Sequence, residues 1–435
     1  MTDALTQPVD EVVDLCRDLL RIDTTNTGDL DTSAGERVAA EYVAGKLAEV
    51  GVEAQIIESA PGRANVVARL TGTDPSREAL LVHGHLDVVP ADAAEWSVHP
   101  FSGEQRDGYL WGRGAVDMKD FDAMLLAVVR AWQREGYRPP RDVMLLFTAD
   151  EEAGGSYGAH HLVDRYPQLF DGVSEAIGEV GGFSFTVAED LRLYFVQTAE
   201  KGLDWLRLHA HGRPGHGSFV HDDNAVTALA EAVARLGRHR FPITLTPTVR
   251  SFLAEVAPIL GIEPDAEALI DKIDAVRPLL GATIRNTANP TRLAAGYKDN
   301  VIPSKASATV DCRTLPGQSE AFEAQLAEIV GPDIAIEYVQ RQPALETTFD
   351  GPLVEAMVAA LRAEDPGAKP VPYMMSGGTD AKAFARLGIR CFGFTPLQLP
   401  PDLNFAALFH GIDERVPVEG LQFGARVLDR FLRTC

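Results

Sequence analysis

Four cysteines, Cys16, Cys312, Cys391 and Cys435, are scattered through 435 residues, and no two share a CxxC spacing. That scarcity argues against a disulfide framework and against a thiolate zinc site, and it fits a reducing, cytoplasmic compartment. Long hydrophobic runs are missing too: nothing approaches the roughly 20 apolar residues of a membrane span. The opening segment MTDALTQPVDEVVDLCRDLLRI has no basic start and no unbroken apolar stretch, so no secretory signal is expected. Basic residues are outnumbered, 40 Lys and Arg against 63 Asp and Glu, for a formal net charge of −23. A chain this acidic lacks a basic face for nucleic-acid phosphates or an anionic membrane surface. A hydrophobic share of 46% and a charged share of 24% fit a globular protein instead. The length calls for two domains rather than one core.

Helical apolar spacing runs through 9–22 and 34–50, followed by strand-like VEAQII, ANVVARL and EALLVHGHL. AMLLAVVRAWQREG reads as a helix stopped by Gly136, and RDVMLLFTADEE as a buried strand running into acids. Apolar strands alternating with helices predict an α/β domain: a mixed, largely parallel sheet flanked by helices. From about Lys201 the pattern changes, with the clean alternation of GLDWLRLHAHG, a helix over 224–239, and alternating ATIRN and KASATVDCR. An α+β insertion over 202–316 is expected, dividing the main domain into 1–201 and 317–435.

Ligand sites in such sheets collect at the carboxyl ends of strands, and the chemistry-bearing residues fall there. His85 and Asp87 end LVHGHLD, Glu151 and Glu152 end the strand VMLLFTADEE, and Glu179 follows AIG. Asp117 precedes a helix in GRGAVDMKD, and His410 lies before the C-terminal helix. Alone, each has an ordinary reading: a satisfied core network, a helix-start charge pair, an N-cap. Together they pose an electrostatic problem, because carboxylates converging at one sheet edge repel one another unless cations lie between them. Imidazole with carboxylate suits zinc or a similar divalent ion. Two ions sharing a carboxylate would use the donors more fully than one. Asp87, two residues from His85, is expected to hold the imidazole from behind.

The motifs HGHLDVVP, GRGAVDMK, DEEAGG, GHGS, NVIP, DCR, SGGTDA and the late His410 are together specific. Nearly the whole chain resembles the di-zinc metallohydrolases that include aminoacylase-1, glutamate carboxypeptidase G, carboxypeptidase S, succinyl-diaminopimelate desuccinylase and acetylornithine deacetylase. The resemblance implies two Zn²⁺, with Co²⁺ or Mn²⁺ able to substitute. His85, Asp117 and Glu179 would bind one ion, with Glu175 the other acid nearby, and Asp117, Glu152 and His410 the second. Glu151 would be the general base, taking a proton from the attacking water and delivering it to the departing amine.

The resemblance also gives roles to the inserted domain and the turn at SGGTDA. His216 in GRPGHGS would stabilise the tetrahedral oxyanion from a partner subunit, which implies a homodimer through the insertion. Asn300 and Arg313 would grip the substrate carboxylate, the guanidinium in a bidentate pair, with a turn at IPS needed to bring them together. Gly378 lies in a glycine turn at a helix start, where N–H groups receive anions. The expected substrate is a small acyl amino acid or dipeptide with a free carboxylate. The alternatives are a biosynthetic desuccinylase or deacetylase, or a metal-binding scaffold without activity. His160 and His161 read as surface, His209 and His211 share a strand face with no acid beside them to complete a metal site, and Cys391 reads as a buried thiol. The absence of HExxH removes a single-zinc protease reading.

Overall fold

The computed structural model describes residues 7–188, 191–263, 265–267 and 281–435. The chain forms two compact units. One holds Met1–Thr198, Thr347–Tyr373 and Thr379–Cys435; the other holds Ala199–Glu346 and Met374–Gly378.

The first unit is built on the expected mixed sheet. Four neighbouring strands run parallel, in the order Val143–Thr148, Ala79–His85, Val173–Gly178 and Arg390–Gly393. Antiparallel strands flank them, Arg63–Leu70 and Ala54–Ala60 on one side and Leu191–Glu200 on the other. Ala79–His85 and Val143–Thr148 are buried along their whole length, which is why they read as continuous apolar runs. The helix Lys119–Glu135 is buried from Lys119 to Trp132, and Gly136 at φ 69° ends it, as its sequence predicts. No described helix is long and apolar enough to cross a membrane.

The second unit carries a four-stranded antiparallel sheet, in the order Thr287–Ala295, Lys305–Thr314, Gly202–His211 and Ile334–Gln342. Leu206, Leu208 and Val310 from the sheet share one core with Leu229 and Leu236 of helix Ala225–Arg238 and with Phe322 and Leu326 of helix Ser319–Val330. Residues 319–342, which the sequence pattern assigns to the returning main domain, pair with this sheet through Ile334–Gln342. ATIRN forms turns rather than the expected strand. Lys201 Nζ takes the carbonyls of Ala282 and Arg285 at 2.9 Å each, so they bond a side chain rather than a ladder.

Candidate active site

Three of the four parallel strands deliver acids or a histidine at their carboxyl ends. His85 closes its strand, Glu151 and Glu152 begin a short turn after Thr148, and Glu179 follows Gly178. Three non-glycine residues here have positive φ: Asp150 at 67°, Val180 at 56° and His410 at 58°. A β-branched residue such as Val180 rarely adopts that conformation, and such backbone is concentrated at functional sites.

Asp117 stands at the centre. Its Oδ1 lies 3.0 Å from His85 Nε2, and its Oδ2 lies 3.3 Å from His410 Nε2. Glu179 Oε2 is 3.5 Å from the same His85 nitrogen, and Glu152 Oε2 is 3.0 Å from His410 Nε2. Two candidate ligand triads result, His85–Asp117–Glu179 and Asp117–Glu152–His410, joined at Asp117. Glu175 is elsewhere: its carboxylate bonds Arg141 Nη1 at 2.9 Å.

The electrostatics are those of crowded anions. Burial, only partly offset by His85, pushes Glu179 up to about 8. Burial also raises Glu151, with Glu179 adding to it, and Glu152, with Asp117 adding to it. Asp117 is the exception: it is buried, yet hydrogen bonds from His410 and His85 hold it below the usual carboxylate range. Bonds to Asp117 and Glu152 lift His410 to about 10. Burial works against the charge on His85, but Glu179 and Asp117 outweigh it and raise its pKa. The donor set fits a pair of dications: two imidazoles, three carboxylates, and a buried Glu152 Oε1 that has no hydrogen-bond partner among the described residues.

This electrostatic state has a sign that can be measured. Between its ordinary 4.5 and about 8, Glu179 keeps a proton in the folded chain that the unfolded chain releases. His410 does the same between 6.5 and about 10. Both contributions weaken the fold as pH rises. Protein stripped by a chelator is therefore expected to melt lower at pH 8.5 than at pH 6. Dication binding needs these groups deprotonated, so the stabilisation it adds should grow over the same interval. Thermal melts with and without metal test this; a pH-independent gap would mean that these groups do not meet the ion.

Asp87 meets His85 through its main chain rather than through its carboxylate. The main-chain oxygen of Asp87, at 3.0 Å, faces His85 Nδ1, while the nearer carboxylate oxygen is 3.6 Å away. The carboxylate is engaged elsewhere, accepting from the N–H groups of Glu151 and Glu152 at 3.1 Å each and from Asn26 Nδ2 at 2.8 Å. Arg113 and Glu414, which the sequence reading did not single out, brace the opposite side. Glu414 bonds Arg113 Nη1 at 2.6 Å and Val116 N at 2.8 Å, and Arg113 Nη2 donates to the carbonyl of His410 at 3.3 Å. Asp380, in SGGTDA, is also buried and bonds Thr148 Oγ1 at 2.6 Å. Its only signal in the sequence was the turn that carries it. Beside Glu179, a narrow apolar cleft is lined by Val116, Met118, Val180, Phe183, Leu397 and Phe405.

His216, Asn300, Arg313 and Gly378 belong to the second unit. The two-residue strands Gly215–His216 and Val301–Ile302 pair, and Gly217 N donates to Asn300 O at 2.9 Å, which sets His216 and Asn300 side by side. His216 is exposed, and its Nδ1 is 2.7 Å from Ser218 Oγ. Arg313 is turned to its own strand, with Nε 2.7 Å and Nη2 3.1 Å from the Asp311 carboxylate. Gly378 is half-buried, just before Thr379, whose Oγ1 accepts from Ala381 N at 3.1 Å.

Comparison with known proteins decides the family. The sequence profile of Peptidase family M20/M25/M40 matches residues 81–434. The chain belongs to this family. It is 29% identical over 420 residues to the aminoacylase-1 of Sus scrofa, covering 93% of this chain and 90% of that one. It is 30% identical over 377 residues to the human N-fatty-acyl-amino acid synthase/hydrolase PM20D1, covering 81% and 73%. Its fold matches that of the M20 metallo-carboxypeptidase Sso-CP2 from Sulfolobus solfataricus with a TM-score of 0.73 at 19% identity, over 98% of this chain and 99% of that one. The expected resemblance and the α/β fold both hold. As a member of the M20 family, the protein is a metal-dependent hydrolase acting on C–N bonds.

Proposed function

We propose that this M20 hydrolase cleaves the amide bond of small N-acyl amino acids or dipeptides that carry a free carboxylate. Two ions would be held by His85, Asp117 and Glu179 and by Asp117, Glu152 and His410. The observation that carries this reading is the Asp117 carboxylate, with one oxygen 3.0 Å from His85 and the other 3.3 Å from His410. The acylated amino acids named in the activities of two relatives favour the substrate class.

Zinc is the ion proposed, with Co²⁺ or Mn²⁺ as substitutes, and bound here it would polarise a carbonyl and acidify water. The remaining work belongs to the chain. Glu151 has no hydrogen bond to its carboxylate among the described residues, so it is available to take a proton from the attacking water. It then returns that proton to the departing amine nitrogen, while Asp87 holds its main chain in place. The imidazole of His216 would donate to the developing oxyanion. Asn300 and Arg313 would hold the substrate carboxylate with N–H groups near Gly378; Asp311 leaves the Arg313 Nη1 group for that purpose.

A homodimer through the second unit is part of this reading. It is supported by Phe219 and Val220, which follow His216 and are 69% and 93% exposed. Unpaired cysteines, three of them buried, support a reducing cytoplasmic compartment. The test is release of free amino acid from a panel of N-acyl amino acids and dipeptides by metal-loaded and chelated protein. Turnover is expected only with metal. No turnover on any substrate with two equivalents of zinc bound would sink the proposal and favour an inactive metal-binding relative.

A further inference from the structure

We infer that Asn26 is a positioning residue for the Glu151–Glu152 pair, acting through Asp87 and Asp150. The inference rests on the roles proposed above for the two glutamates. Adjacent carboxylates can do different jobs only if the backbone turn beneath them is held in one shape. Two acids hold that turn. Asp87 accepts the N–H groups of both Glu151 and Glu152 at 3.1 Å. Asp150, directly before them at φ 67°, accepts from Tyr157 N at 2.9 Å, and its own carbonyl accepts from Gly155 N at 2.6 Å.

One amide group ties these two acids together. Asn26 Nδ2 donates to Asp87 Oδ2 at 2.8 Å and to Asp150 Oδ1 at 3.2 Å. Asn26 Oδ1 accepts from Arg63 Nη2 at 2.7 Å and from Gly28 N at 2.9 Å. The amide can face only one way, since a flip would set its oxygen against two carboxylates and its NH₂ against a guanidinium. The guanidinium is itself buried and paired with the buried Glu36. The main chain is tied as firmly: Asn26 N donates to Val88 O at 2.8 Å, and Thr24 Oγ1 donates to Leu86 O at 2.7 Å. The loop of Asn26 therefore lies along the segment that leaves His85. Asn26 is 4% exposed, so water cannot replace its bonds.

The experiment compares wild type, Asn26→Ala, Asn26→Asp, Asp87→Asn and the Asn26→Ala/Asp87→Asn double variant. Cobalt is titrated into the chelated proteins and followed by visible absorption, and kcat and KM are measured separately. Asn26→Ala is expected to weaken cobalt binding and lower kcat, each by about 10–100-fold as for other groups supporting metal ligands. KM should stay within about threefold, since no substrate contact is removed. Asn26→Asp keeps the side-chain size but replaces the donor with an anion facing two acids, so it should be at least as impaired without leaving a cavity. On the Asp87→Asn background, Asn26→Ala should add less than about threefold, because both act on one turn. Wild-type cobalt affinity and spectrum in both Asn26 variants, or effects that multiply in the double variant, would overturn the inference. The cobalt titration reads the turn even if no substrate is cleaved, so its failure is separable from failure of the proposed activity.

Discussion

Replacing Glu151 with glutamine is expected to lower kcat by roughly 10²–10⁴-fold, the usual worth of a positioned general base. KM and bound metal should hardly change. The expectation follows from what the Glu151 side chain does not do. It stands outside both candidate ligand triads, and among the described residues its carboxylate makes no hydrogen bond. Its anchor is its main-chain N–H on Asp87, so an amide side chain of nearly equal shape should leave the turn in place. Burial, with Glu179 adding to it, raises its pKa. Kinetics on a cleaved substrate, together with elemental analysis, test the claim. Activity near wild type would move the base elsewhere, and loss of an ion would make Glu151 a ligand instead.

Asp117→Asn should act differently, taking metal and activity together. Each Asp117 oxygen faces a different imidazole, at 3.0 and 3.3 Å, and no other residue is common to both triads. An amide offers one neutral oxygen and turns an NH₂ group toward the other ring. Bound metal should fall from two equivalents to one or none. With charge stabilisation of several kcal/mol lost, kcat should fall by about 10³-fold or more. Protein that kept both equivalents and full turnover would remove Asp117 from the shared position. The contrast between the two variants, one losing chemistry alone and one losing metal with it, separates base from ligand.

Much of this centre could be read from one dimension. His85, Glu151, Glu152 and Glu179 each follow an apolar strand, and a parallel sheet brings such positions to one edge wherever the strands are neighbours. Asp117 and His410 carried weaker local signals, and only their company with the others made them candidates. The sequence reading takes Glu179, just past the strand, as the ligand with Glu175, inside it, as the acid nearby. Packing supports that choice: Glu175 meets Arg141, and Glu179 meets His85.

The supporting residues were hidden for a different reason. Asn26 bonds an acid 124 positions away, Arg63 bonds Asn26 across 37, and Glu414 bonds Val116 across 298. No periodicity or spacing marks such pairs, since their partners meet only when distant loops close over the same strand ends. Asp87 shows the same division in one residue: its place beside His85 was legible, but the use of its carboxylate was not. The positions of strands and helices and the kinds of donor at each strand end follow from local pattern, because burial imposes periodicity on neighbouring residues. Which acid reaches which imidazole, and what holds each acid still, was settled only by the tertiary fold, because those contacts join residues with no local relation in the chain.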